Sequence, residues 1–167
     1  MTPDEVADIF AEATAAHETI TSKPNYADTD KFDEKVNYML VELIREHDGD
    51  EFGILCLRQD VSCYSTITGG STLTKIGSIA SYDRSIDKDA NSSERIRAEV
   101  TWKVKINDSK VEASAESAAK KIMLATFDDA YANRLKHHIK LCSGITYFQL
   151  IQHLIKHYRK LYQLNML

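Results

Sequence analysis

Apolar residues recur at helical spacing along most of the chain, and the polar residues between them mark where each helix starts and stops. Thr2 and Glu5 form a T-x-x-E capping box, with Pro3 at the first helical position, where its missing N–H costs nothing. Val6, Ile9, Phe10, Ala13 and Ala16 then share one face. Asp4, Glu5, Asp8 and Glu12 load the first turns with negative charge, which suits the helix dipole. The segment Thr21 to Asn25, which contains Pro24, should end this helix.

A second helix is expected from about Asp28 or Thr29. Its stripe is Phe32, Val36, Met39, Leu40, Leu43 and Ile44, and the Asp48-Gly49-Asp50 turn closes it. The stretch Phe52 to Asp83 is the least helical. Phe52 to Leu57 is a short apolar run that fits either a strand or a buried helical turn. Thr68-Gly69-Gly70-Ser71 reads as a loop, and Ser78 to Ser85 as irregular.

From Asp89 onward two periods compete. Val100, Trp102, Val104 and Ile106 alternate with Thr101, Lys103 and Lys105, a strand pattern of β-forming residues. Over a longer window, Ile96, Val100, Val104, Val111, Ala115, Ala118, Ile122 and Ala125 stay in helical phase, and the Ala-rich 113–119 stretch favours helix. The longer window decides for helix, either continuous or broken near Asn107-Asp108, with Asp87 or Asp89 as its N-cap. A short helix is expected over Phe127, Ala130, Tyr131 and Leu135, ending near Ser143-Gly144. The last helix opens with a second capping box, Thr146 and Gln149. Tyr147, Ile151, Leu154, Ile155, Tyr158 and Leu161 face one way on it. Gln152, His153, Lys156, His157 and Lys160 face the other.

The expected fold is therefore mainly α: about five to six helices in orthogonal or bundle-like packing, with room for a small β element within 52–106. It forms one domain over 1–167, or two small lobes divided near 52–88. Composition agrees. At 167 residues and 43% hydrophobic the chain can bury a core, and only 6 Gly and 2 Pro leave few turns for an all-β fold. The net charge of -4 argues against a generic phosphate-binding surface. Cys56, Cys63 and Cys142 lack disulfide or zinc spacing and fit reduced thiols in the cytoplasm. The acidic N-terminus has no signal-peptide character, and no apolar run is long enough to span a bilayer.

Each candidate for chemistry has a plainer account. His153 and His157 stand at i, i+4, but beside Lys156 and Lys160, which would repel a metal cation. His137 and His138 suit a helix C-terminus. Asp83, Asp87 and Asp89 have no apolar surroundings in sequence that would split their pKa values. Cys63 with either of His137 and His138 lacks a thiol-protease signature, and Thr68 to Ser71 lacks a phosphate-loop pattern. Tyr147, Tyr158 and Tyr162, with Lys156, Arg159 and Lys160, could stack on a single nucleic-acid strand, although Tyr147 and Tyr158 share the apolar face. No catalytic residue, metal ligand, cofactor or small-molecule substrate is expected.

A spaced series of short features runs through most of the chain. It comprises Ile9-Phe10, Ala15-Ala16-His17, Ile20 to Pro24, a leucine-rich helix, Gly53-Ile54-Leu55, and Tyr82-Asp83 with Ile86-Asp87. It continues through Arg95 to Trp102, Ile122, Asp128 to Tyr131 with Leu135, and Thr146, Leu150, His153-Leu154 and Tyr158. In this order it resembles the Gag-like capsid region of copia-type LTR retrotransposons. The resemblance implies an α-helical, self-assembling particle protein that packages element RNA in the cytoplasm, and it implies no catalytic residue. The chain departs from a complete Gag in lacking a CCHC zinc knuckle and a basic RNA-binding tail. An isolated capsid fragment or a domesticated copy, with RNA at most a weak ligand, is the matching expectation. Independently, the apolar terminal helix must be covered by its own core or by another subunit. Its expected association face is Tyr147, Ile151, Leu154, Ile155, Tyr158 and Leu161. The alternative function is a helical adaptor or regulatory module that binds a protein partner through helix 146–167.

Overall fold

The computed structural model describes residues 1–15, 19–21, 24–43, 53–57, 66, 68–70, 76, 79, 91–127 and 146–165, with the side chains of Tyr26, Leu55 and 157–165 outside the description. Among these residues the protein is mainly helical. The elements are α1 (Pro3–Ala15), α2 (Tyr26–Glu42), a 3-10 turn (Leu55–Leu57), α3 (Ser92–Thr126) and α4 (Tyr147–Asn165). The expected helix at 127–144 and the Asp48-Gly49-Asp50 turn lie outside the described residues, apart from Phe127.

Each helix begins on a side-chain cap. In α1, Glu5 N–H donates to Thr2 Oγ1 (3.2 Å) and Thr2 N–H donates to Glu5 Oε2 (2.7 Å), the reciprocal pair expected from T-x-x-E. Helix α2 starts earlier than Asp28 or Thr29. Asn25 is its N-cap, and Asp28 is the third helical residue, closing a capping box back onto Asn25. Helix α3 repeats that device with Asn91 and Glu94, so neither Asp87 nor Asp89 is the cap. An Asn with an acid three residues on satisfies two orphan amide donors as well as Ser or Thr does.

Helix α3 is continuous for 35 residues, about 52 Å at the α-helical rise. It runs unbroken through Asn107-Asp108, and the alternating Val100–Ile106 stretch is helical. Burial of the later turns overrides the weak helix propensity of Val, Thr and Ile there. No strand occurs among the described residues. The only pairing of that kind among them is an isolated parallel bridge between Ile20 and Phe127.

Helix α1 lies beside the second half of α3 and runs in the same direction. Asn107 Nδ2 donates to Met1 O (3.0 Å), Ser114 Oγ to Pro3 O (3.0 Å), Thr19 Oγ1 to Ala125 O (3.3 Å) and Ile20 N–H to Thr126 O (2.7 Å). These four bonds fix the register from one end of α1 to beyond the other. Helix α2 crosses to both partners. Lys35 Nζ reaches Ala13 O (3.4 Å) at the C-terminus of α1, where a cation complements the dipole. The Phe32 and Phe127 rings meet edge to face, with centroids 5.8 Å apart.

The C-terminus of α2 is closed by the chain's return. Ile54 N–H donates to Leu40 O (2.9 Å), and Gly53 takes φ 57 directly beneath the last carbonyls of α2. A Cβ on Gly53 would stand 2.6 Å from Leu40 O and from Leu43 O, and would also strike Val41 O. The apolar run after Phe52 is therefore a buried 3-10 turn, with Ile54, Cys56 and Leu57 inside.

One core cluster joins all of these elements. It contains Val6 and Phe10 of α1, Phe32, Val36 and Leu40 of α2, Leu43, Ile54 and Leu57, Val111, Ala115, Ala119, Ile122 and Met123 of α3, and Tyr147, Leu150, Ile151 and Leu154 of α4. Ile9, placed on the α1 apolar face by spacing, is 38% exposed, because the stripe that packs on α3 is centred on Val6 and Phe10.

Candidate functional site

Helix α4 carries the expected association face. Its first turn is held twice. Thr146 N–H and Gln149 N–H exchange bonds with Gln149 Oε1 (3.0 Å) and Thr146 Oγ1 (3.2 Å), and Tyr147 N–H donates to Glu116 Oε1 (2.9 Å) on α3. A carboxylate at a helix N-terminus is favoured by the dipole, so Glu116 both caps α4 and fixes its angle to α3.

That docking uses the apolar face. Tyr147, Ile151 and Leu154 are buried in the chain's own core with Leu150, and Ile155 is half-buried against it. In this structure the N-terminal half of the expected association face is core, not free surface. Tyr158 and Leu161 continue the helix, with their side chains outside the described residues. Tyr147 is fully buried and unavailable to stack on a base. Gln152, His153 and Lys156 point to solvent, as their spacing predicts.

No group of three metal-ligating side chains gathers among the described residues. Cys56 is buried and forms no disulfide. Thr68, Gly69 and Gly70 form a turn in which both glycines have positive φ and open space where a Cβ would be, consistent with a plain loop. Cys63, Cys142, Asp83, Asp87, Asp89, His137 and His138 lie outside the described residues. No described helix is long and apolar enough to cross a membrane.

Two features carry no signal in the sequence. Asp108 and Glu112, one turn apart on α3, are each 1% exposed. Glu112 Oε2 accepts the Ile76 N–H (2.9 Å), tying Ile76 to the long helix. Neither residue type nor spacing marks such acids as interior, since Asp and Glu are rarely buried unless partnered.

The second feature is the first half of α3. No residue from 92 to 107 is buried, and Ser92 to Arg97 are all exposed. Ile96 is 63% exposed and Val100 54%, one turn apart on one face. Glu99 and Lys103 flank them as an i, i+4 ion pair (3.5 Å) whose members are 35% and 65% exposed, a contact of little energetic weight in water. The buried face of α3 runs through Val111, Ala115, Ala119, Ile122 and Met123, whereas Ala118 is half-buried and Ala125 exposed, so the core stripe is rotated from the one that spacing predicts. Full burial begins at Asp108, and Trp102, Val104 and Ile106 before it are half-buried. Family models, curated proteins and solved structures offer no match to this chain.

Proposed function

We propose that the chain is a structural, self-associating helical protein of the capsid-like, Gag type found in retroelements, without catalytic activity and acting in the cytoplasm. Its full domain would hold five to six helices in bundle-like or orthogonal packing. The observation that carries the proposal is the exposure of Ile96 and Val100 at the start of α3. Val100, Thr101, Trp102, Val104 and Ile106 are poor helix formers, held helical as an extension of the packed later turns of α3. Ile96 and Val100 present an apolar face that a second subunit would cover.

Magnitudes set the kind of association. Covering the exposed remainder of Ile96 and Val100 would contribute about 1 kcal/mol for each side chain. A stable dimer ordinarily buries roughly 1,000 Å² or more, beyond the area that two aliphatic side chains supply. Weak contacts repeated over many copies, as in a particle wall, fit better than one tight pair. The Gag reading itself rests on the sequence resemblance. Of the described positions in that series, Phe10, Ile54, Ile122, Leu150 and Leu154 are core and Thr146 is a cap, whereas Ile9, Arg95 to Arg97 and His153 are exposed. RNA would be a weak, salt-sensitive ligand, because the net charge of -4 offers no broad basic surface.

The adaptor alternative draws on the 146–167 face, whose first turns are already engaged by the core. Sedimentation velocity over a range of protein concentrations separates the two. Mass that grows with concentration supports assembly, and a fixed monomer or dimer with a defined protein partner supports the adaptor.

A further inference from the structure

We draw no further inference here: the strongest candidate, the buried Asp108 and Glu112 carboxylates one turn apart on the core side of α3, is an acidic cluster in which Glu112 already holds the Ile76 N–H, and no second observation points to a ligand there.

Discussion

Tyr147 donates its backbone N–H to the Glu116 carboxylate across 2.9 Å, so the long helix caps the helix that packs against it. The bond joins residues 31 positions apart and couples the start of α4 to α3. Replacing Glu116 by Ala removes both the acceptor and the negative charge at the N-terminus of α4. A loss of about 1–2 kcal/mol is expected in urea unfolding, within the usual range for caps and charge-assisted bonds. Glu116→Gln keeps an oxygen acceptor and should lose less. Equal losses for the two variants would assign the effect to the carboxylate charge and not to the hydrogen bond, and no loss in Glu116→Ala would contradict the cap.

Gly53 and Gly69 both have positive φ, but only Gly53 is hemmed in by backbone carbonyls. Gly53→Ala combines left-handed strain with overpacking against α2 and should cost more than about 2 kcal/mol. Gly69→Ala meets open space and should cost about 1 kcal/mol from strain alone. Paired thermal melts compare them directly. Similar melting temperatures for the two variants would contradict the closure of α2 by Gly53.

Leu154 and Gln152 are near neighbours on α4 with opposite surroundings, one 2% exposed and the other on the solvent side. Leu154→Ala should destabilise by about 2–5 kcal/mol. Gln152→Ala should stay within about 0.5 kcal/mol of the parent. Chemical denaturation measures both. A near-neutral Leu154→Ala would mean that the apolar face of α4 is held for a partner and is not part of the core.

Glu112 fastens the Ile76 amide from inside the core. Glu112→Ala leaves that amide without its acceptor and should lower stability by about 1–3 kcal/mol. Hydrogen exchange at Ile76 should accelerate in the variant more than exchange along α1. Unchanged protection at Ile76 would show that the bond does not hold that amide.

The helices and two of their caps are legible in the sequence because both depend on local chemistry. Thr2 with Glu5 and Thr146 with Gln149 act within one turn, and the structure keeps both pairs. Asn25 with Asp28 and Asn91 with Glu94 are equally local, but neighbouring aspartates offer competing caps and mask them. The strand-like alternation at Val100–Ile106 gives way to the longer helical stripe, since a continuous helix extends the packed turns of α3. Depth is not legible. Periodicity gives the phase of Ile96, Val100 and Val111 alike, yet only Val111 is buried, because α1 begins beside Asn107 and covers only the later turns. For the same reason the sequence places Tyr147, Ile151 and Leu154 on an apolar face without deciding whether the core or a second subunit covers it. The burial of Asp108 and Glu112 has no local signature at all, and the amide that Glu112 holds is distant in sequence.

Association through the uncovered start of α3 is tested most directly by light scattering of the full chain across concentration, parent against Ile96→Lys/Val100→Glu. Both side chains are largely exposed, so the double variant should keep the parent's helical circular dichroism and melting temperature. The expected result is a parent whose mass rises with concentration and a variant that remains small at the same concentrations. A parent of constant low mass, or a folded variant that assembles as the parent does, would contradict self-association through this face.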